Sequence, residues 1–465
     1  MGAFSGKRVL IFGLKRSGVA AAKALARLGA VISVTDSKDA KALTMEIAAL
    51  PEGTRLFLGG HPDHLLNGTD LIVISPGVPS GIALLEKARR MNIPVIGELE
   101  LGYRLFREAN PGIDFYAITG TNGKSTTTAL LHHLLETAGR GTLLGGNIGY
   151  PLAGLLDKAA QADCVVVEVS SFQLETIMEF RPKISSILNI APDHLDRYAS
   201  VEEYAAAKIR IFENQTSIGE QRDALVLNAG DPSGAEISSM LASRKAGPEV
   251  FYFGREKKRG VYTDGNSIFA DVTGFSGLVA EAGRLRIKGA HNLENAMAAA
   301  CMALLADVAP DAVKEGLYSF PGLEHRMEEV ARIDGVLYIN DSKGTNPPAT
   351  LRSLEGMTSQ VVLIAGGRDK HCDFAPMREA AKGKVKLAVL IGEARQKIKS
   401  VLDGAVETRF AETLAEAVEM SRGAAAPGDI VLFSPACASF DMFTDFEHRG
   451  RAFKEEVGKL CARTR

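Results

Sequence analysis

Three groups of residues in this chain have types and spacing that could do chemistry. The first is the run "ITGTNGKSTT" at 118–127. Gly123, Lys124 and Ser125 fill the last three places of the phosphate-loop pattern G-x-x-x-x-G-K-[ST]. Ile118 stands where that pattern has its first glycine, and Gly120 supplies flexibility inside the loop instead. Such a loop holds phosphate with backbone N–H groups at a helix N-terminus. Lys124 would reach the β- and γ-phosphates of a nucleotide and Ser125 would ligate Mg2+, with Thr121, Asn122 and Thr126 on the same loop. A chance GKS after a strand is the alternative, and the order strand, loop, helix opposes it.

The second group could hold that metal, which takes oxygen ligands, only a few of them from protein. Glu168 lies late in the apolar run "CVVVEVSS", where a lone carboxylate is costly unless it meets a cation. "NIAPDHLDRY" (189–198) packs Asp193, His194, Asp196 and Arg197 into one loop after the next strand. Lys208, in the helical stretch "EEYAAAKIRIFEN" (202–214), reads on its own as a surface lysine snorkelling over apolar neighbours.

The third group lies at strand ends near the C-terminus. "YINDSKGTNPPA" (338–349) offers Lys343, "GGRDKHCDF" (366–374) offers Lys370, and "LFSPACASFDMFTDFEHRG" (432–450) offers Ser439 and Phe446. Two lysines and several hydroxyls suit a ligand with two carboxylates. In "LEHRMEEV" (323–330) Arg326 could stabilise phosphoryl charge or form a surface ion pair.

The elements that must position these groups alternate between apolar β-rich runs and Ala/Leu-rich helical stretches. "VLIFG", "FYAITG", "CVVVEVS", "VVLIAGG" and "IVLFS" are apolar throughout, as strands buried on both faces of parallel sheets are. The expectation is an α/β chain of three domains: a Rossmann-like N-terminal domain (1–108), a central P-loop ATP-binding domain with a parallel sheet (109–322) and a C-terminal Rossmann-like α/β domain (323–465). A hairpin-like insert is expected between about 250 and 288. In the first block, "VLIFGLKRSGVAAAKAL" imitates a dinucleotide fingerprint, but Lys15 replaces its middle glycine. A phosphate at the helix N-terminus near Ser17, with Asp36 accepting from a sugar or uracil, is the reading placed first. A turn that merely packs helix on strand comes second and NAD third. "SPGVP" (75–79) is a second loop at a strand end.

The chain has 465 residues, 46% apolar and 24% charged, with a net charge of -2, so nothing in bulk draws it to nucleic acid or anionic membrane. Its five cysteines form no C-x-x-C pair. That count suits reduced thiols better than a disulfide framework or a zinc site. No apolar run nears the ~20 residues that span a bilayer, and the N-terminus lacks a signal-peptide or myristoylation pattern. A cytoplasmic protein is expected.

"TGTNGKSTT", "GGNIG" (145–149), "EVSSFQLE" (168–175), "DHLDRY" and "AAKIRI" occur in that order, and together they resemble the Mur ligase family, which makes amide bonds in peptidoglycan precursors. The resemblance covers essentially the whole chain, and the missing first glycine is usual in that family. "SSFQLE" with "DHLDRYASVEEYAAAKIRIFEN" resembles the branch that adds D-glutamate to UDP-N-acetylmuramoyl-L-alanine. The resemblance implies those two substrates, ATP, two Mg2+ ions and a CO2-derived carbamate on Lys208 that bridges to the second ion. Ser125, Glu168, His194 and the carbamate would be the metal ligands. Lys124, His194, Lys208 and Arg326 would carry catalysis, with Asn292 and Asn295 near the adenine or ribose and Asp341 and Arg326 also on ATP. The UDP part would meet Ser17, Asp36, Ser37 and Gly77, and Asn147 would hold the incoming substrate or its phosphate. Lys38 replaces a family arginine and loses its fork. D-glutamate would meet Lys343, Thr345, Lys370, Ser439 and Phe446. A monomer is expected, and charge and hydropathy point to no nucleic-acid or membrane partner. The rivals are a ligase for another amino acid or folylpolyglutamate, an NAD-dependent oxidoreductase, and a noncatalytic sensor on a ligase scaffold.

Overall fold

The computed structural model describes residues 4–464 apart from 80, 196, 219–221, 245, 370 and 371. The chain divides into two compact units, Met1–Phe320 and Pro321–Arg465.

The first unit carries two sheets. In one, β1 (Arg8–Phe12), β2 (Val31–Asp36), β3 (Arg55–Leu58), β4 (Leu71–Ile74) and β5 (Val95–Gly97) lie in the order β3-β2-β1-β4-β5. Every pair is parallel. The order reverses between β1 and β4, so their C-terminal ends border the crevice where such sheets bind ligands. Gly13 follows β1 at φ 86°. A Cβ on Gly18 would stand 2.1 Å from the Gly13 carbonyl oxygen, so close helix–turn packing alone demands that glycine.

The other sheet comprises β6 (Asp114–Thr119), β7 (Thr142–Gly146), β8 (Cys164–Glu168), β9 (Ile184–Ile187), β10 (Ala224–Asn228), β11 (Glu249–Gly254), β12 (Gly260–Thr263), β13 (Ser267–Val272) and β14 (Phe275–Glu281). Its order is β14-β13-β12-β11-β10-β9-β6-β8-β7. It is parallel from β7 to β12, and β12, β13 and β14 are the antiparallel insert that the Gly turns announce. β6 lies between β8 and β9, which puts a second order reversal at its C-terminal end.

The second unit holds β15 (Glu328–Ile333), β16 (Val336–Asn340), β17 (Val361–Gly366), β18 (Val385–Ile391), β19 (Glu407–Phe410) and β20 (Ile430–Phe433), in the order β15-β16-β20-β17-β18-β19. Only the β15–β16 pair is antiparallel.

The inner strands of all three sheets are buried on both faces, which is why they read as continuous apolar runs. Val9 and Ile11 enter one core while Leu10 and Phe12 enter the opposite one. Val165 and Val167 divide from Cys164 and Val166 in the same way, as do Val361 and Leu363 from Val362 and Ile364.

The helix Glu98–Ala109 serves both sheets of the first unit. Leu101 and Leu105 pack into the core of the first sheet, and Leu99 and Phe106 into that of the second. Its first turn is acidic and buried. Glu98 accepts the Ala153 N–H at 2.7 Å. Glu100 accepts the N–H groups of Met178, Glu179 and Phe180 at 2.9 to 3.1 Å and the Arg104 Nε at 2.7 Å. Glu100→Ala would strand three backbone donors, and a loss of about 3 kcal/mol or more in urea unfolding is expected. Burial pushes the Glu98 carboxyl from 4.5 up to about 7, so the folded state disfavours its charged form. Relative to Glu98→Gln, wild-type stability should be highest below about 4.5 and fall as pH rises through about 7.

Candidate active site

The loop after β6 is a compact cradle. Gly120 and Gly123 take φ of 152° and 83°, open to glycine and strained for other residues. A Cβ at Gly123 would also stand 2.3 Å from Asn295 Oδ1. The Thr121 N–H bonds to Asn189 O at 2.9 Å and the Asn122 N–H to Asn189 Oδ1 at 2.8 Å, which fixes the loop to the end of β9. Helix Lys124–Thr137 begins at once, with Ser125 and Thr126 buried in its first turn. Lys124 Nζ folds over the loop and donates to the carbonyls of Gly120 and Thr121 at 2.8 and 2.9 Å.

Lys208 is not a snorkelling surface residue. It is 1% exposed, and its Nζ donates to the Gly120 carbonyl at 2.9 Å while lying 4.5 Å from the centre of the Tyr204 ring. Burial and the Lys124 ammonium hold its amine down to about 7. Glu168, at the C-terminal end of β8, is 2% exposed. One of its oxygens accepts from Asn147 Nδ2 at 2.7 Å, and the other is buried without a hydrogen-bond partner. The Asn147 N–H also meets the Glu168 carbonyl at 2.9 Å. An unsatisfied buried carboxylate oxygen close to the phosphate loop fits a bound cation. Among the described residues no three His, Cys, Asp or Glu side chains form a ready metal cage.

His194 takes a left-handed φ of 53° and is exposed. Its ring lies 4.9 Å from Phe172 and 6.0 Å from Tyr204, which brings it to the Lys208 side of the cradle. Asp196 lies outside the described residues. Beside the loop's Gly123, Asn295 is buried and donates to Asn292 Oδ1 at 3.3 Å. Thr127 donates to Asn295 at 3.2 Å. Asn292 does not cap its helix as its type suggests: the N-cap is Gly289, and Asn292 Nδ2 donates back to Lys288 O at 2.9 Å.

At the first sheet's crevice, Ser75 Oγ donates to the Gly13 carbonyl at 2.8 Å, joining the two strand-end loops. Asp36 spends its carboxylate locally: it accepts the Leu14 N–H at 2.7 Å and the Lys38 N–H at 2.9 Å. Ser17, Ser37 and Gly77 stand on the loops and helix start that rim this crevice, all outside its core. Lys15, the residue that spoils the dinucleotide pattern, pairs with Glu46 at 2.7 Å.

In the second unit Asp341 is buried, accepting from Ser353 Oγ at 2.7 Å and Ser434 Oγ at 2.8 Å, and burial raises its carboxyl. Arg326 sits between two residues of left-handed backbone, His325 at 62° and Met327 at 48°, and its charge acts on Asp341. Lys343 Nζ lies 5.3 Å over the Phe446 ring. Ser439 is buried, and the Thr345 N–H bonds to the Lys343 carbonyl at 2.8 Å. Lys370 lies outside the described residues.

Comparison with known proteins decides the family. Residues 7–97 match the family described as Mur ligase MurD-like, N-terminal domain; 118–303 match the Mur ligase middle domain; and 325–437 match the Mur ligase, glutamate ligase domain. A curated UDP-N-acetylmuramoylalanine–D-glutamate ligase of Koribacter versatilis is 44% identical over 460 residues, 98% of each chain. One from Pelotomaculum thermopropionicum is 43% identical over 462 residues, also 98% of each. The chain belongs to the Mur ligase family. Solved Mur ligases share the fold: MurF from Acinetobacter baumannii at a TM-score of 0.60 and 18% identity over 97% of this chain and 94% of that one, and the UDP-N-acetylmuramate-alanine ligase from Thermotoga maritima at 0.56 and 20% over 97% and 99%.

Two residues of this Mur ligase escape a reading of its sequence. Asn189 pins the phosphate loop through both backbone and side chain, yet sits inconspicuously in "LNIAPDH". Arg449 is 1% exposed and donates to Ser342 O, Ser342 Oγ and Cys437 O at 2.8 to 3.1 Å. It thus holds the turn bearing Lys343 against the loop bearing Ser439. The only signal for it is an arginine four residues before an apolar helix stripe.

Because Glu168 carries an unsatisfied buried oxygen, Glu168→Gln should stabilise the ligand-free protein by about 1 kcal/mol. It should also shrink the rise in melting temperature that Mg2+ with ATP gives the wild type. Scanning calorimetry with and without Mg-ATP checks both, and a less stable variant with an undiminished rise would contradict the metal assignment.

Proposed function

We propose that this chain is an ATP-dependent ligase that joins D-glutamate to UDP-N-acetylmuramoyl-L-alanine through an acyl phosphate, giving ADP and phosphate, in peptidoglycan precursor synthesis. The observation that carries this reading is the 44% identity across 98% of the chain to a ligase curated with that activity. The cradle at 120–125, the buried Lys208 and the half-satisfied Glu168 support it.

Joining a carboxylate to an amine in water needs activation. The alanyl carboxylate oxygen attacks the γ-phosphorus of ATP; the new O–P bond forms as the bond to the ADP oxygen breaks. The D-glutamate nitrogen, having lost a proton, then attacks the acyl carbon, and phosphate leaves from the tetrahedral adduct. Both anions in the first step repel, so cations must screen them. Lys124 would bind the β- and γ-phosphates with the backbone of Gly120, Gly123 and Thr126, while Thr121 and Asn122, whose N–H groups go to Asn189, would shape the ATP loop, and Arg326 would add a forked cation. Bound Mg2+, held by Ser125, Glu168, His194 and the carbamate of Lys208, would supply further neutralisation of phosphate charge. Desolvation favours the neutral amine of Lys208, the form that adds CO2, and loss of a proton then leaves an anionic oxygen ligand in place of a cation.

Asn292 and Asn295 would hold the adenosine, and Asp341 would orient it. Ser17, Asp36, Ser37, Gly77 and Asn147 would seat the UDP-linked substrate. Since Asp36 already accepts two backbone N–H groups, it would act through its remaining lone pairs and by ordering that turn. Lys343, Thr345, Lys370, Ser439 and Phe446 would seat D-glutamate. We read the three family segments as three domains, 1–108, 109–322 and 323–465, closing to exclude water from the acyl phosphate. Among the described residues no helix is long and apolar enough to cross a membrane; the proposed setting is a monomer in the cytoplasm.

The test is phosphate release from Mg-ATP with UDP-N-acetylmuramoyl-L-alanine, comparing D-Glu with L-Glu, L-Lys, meso-diaminopimelate and no amino acid. Release stimulated by D-Glu alone, with the matching amide, is expected. Stimulation by another amino acid would move the specificity, and none at all would favour a sensor. Lys208→Ala should cut turnover by about a thousandfold or more with ATP binding largely kept, and unchanged turnover would contradict the carbamate.

A further inference from the structure

The proposed reaction uses two loops of the first unit that belong to different sheets. One is 75–79, after β4, which the ligase reading puts beside the UDP-linked substrate. The other is 193–198, after β9, which carries His194. Among the described residues, the side chain of Arg197 reaches from one to the other. Arg197 Nη1 donates to the Pro76 carbonyl at 3.3 Å, and its Nη2 pairs with Glu175 Oε2 at 2.7 Å. Its guanidinium lies 4.1 Å over the Phe172 ring.

The side chains of Arg197 and Glu175 keep only 19% and 17% of their exposure, so this pair is shielded from the solvent that weakens surface pairs. Glu175 is filled from its other side by the Tyr198 hydroxyl at 2.7 Å. Phe172 carries the contact onward, with His194 at 4.9 Å and Tyr198 at 5.9 Å. Tyr198 meets Tyr204 at 5.4 Å, and Tyr204 lies under Lys208 and within 3.3 Å of the Thr121 hydroxyl. A packed series of rings thus runs from a strand-end loop of the first sheet to the cradle of the second. The 75–79 loop also lies against the segment after β8 that bears Phe172, since Ser75, Pro76 and Val78 share a tight crevice with Phe172, Gln173 and Thr176.

We propose that Arg197 is a positioning residue that ties the loop seating the UDP-linked substrate to the loop carrying His194, so that filling the first orders the second. It touches no reacting atom. Three features of guanidinium are used together: one nitrogen for a carbonyl, another for a carboxylate, and a flat face for a ring. An ammonium cannot supply all three at once. This rests on the ligase reading for the identity of the substrate, but the link between the loops is a property of the fold.

The test compares wild type with Arg197→Met, which keeps a stem over Phe172, and Arg197→Lys. Steady-state kinetics should show KM for UDP-N-acetylmuramoyl-L-alanine raised about tenfold and kcat lowered about tenfold in Arg197→Met, with KM for ATP within about twofold of wild type. Arg197→Lys should recover less than half of either loss. Amide hydrogen exchange should show UDP-N-acetylmuramoyl-L-alanine slowing exchange across 193–199 in wild type and leaving it unchanged in Arg197→Met. A fall in kcat alone, all KM values moving together, full rescue by lysine, or protection persisting in Arg197→Met would each overturn the proposal. If Arg197→Met does not fold, the lysine variant carries the same comparisons. A wild type that makes no D-glutamyl product overturns the ligase reading, while the exchange comparison still decides the link; a wild type whose 193–199 exchange ignores the UDP-linked compound overturns the link.

Discussion

Two ammonium groups, Lys124 and Lys208, converge on the carbonyl oxygen of Gly120. Two like charges on one acceptor repel, and that repulsion together with burial holds the Lys208 amine down to about 7, while Lys124 has the Thr121 carbonyl as well. The arrangement suits an anionic ligand, or the loss of one amine's charge. Most of the central site follows from that constraint. Glu168 faces it from the end of the adjacent strand with an oxygen unmatched, and the hydroxyl of Tyr204 and the side chain of Asn189 hold the loop still around it. Two amines and a helix N-terminus gathered at one loop suit a polyanionic ligand.

The topology explains why these groups can meet. β6 has β8 on one side and β9 on the other, so three strand ends deliver the phosphate loop, Glu168 and the 189–198 loop to one place. The β1–β4 reversal does the same for Gly13 and Ser75 in the first sheet. The helix Glu98–Ala109 then sets the two sheets of the first unit against each other by giving alternate residues to each core and by burying two carboxylates in its first turn. Glu98 and Glu100 find their donors on Ala153 and on the Met178–Phe180 turn, so a helix nominally trailing the first sheet is latched to the second.

What the sequence disclosed and what it concealed divide along sequence separation. The strand runs were legible because both faces of each sheet are buried, so "VLIF" or "VVLI" needs no partner to be recognised. The phosphate loop was legible because its strand, glycines, lysine and helix are contiguous. The fate of Lys208 was not. Its burial is made by Gly120, 88 residues away, and by a tyrosine ring whose own setting depends on Thr121 and Tyr198. No local pattern distinguishes such a lysine from one on a surface, and only the resemblance of the whole motif series pointed to it. Arg449 is the extreme case. It closes over Ser342 from 107 positions along the chain, inside a helix that reads as charged and exposed.

The same contrast bears on where strain is carried. Left-handed backbone at non-glycine residues costs about 1 kcal/mol or more at each position, and among the described residues it falls at Asn92, Asp307, Asp334 and Ala436 as well as at His194, His325 and Met327. The last three lie in the 189–198 loop and beside Arg326, the parts that a strand-end reading identifies as chemical. Each is held by interactions outside itself: His194 by the rings of Phe172 and Tyr204, and His325 by Asn340, Glu328 and the close approach of Gly450. Sheets buried on both faces can bear such local costs because their stability comes from cores that the site does not enter. A loop such as 193–198 has no core of its own and must borrow order from its neighbours. Arg197 is the side chain through which it borrows from the other sheet, which is why its two nitrogens and its face are all committed.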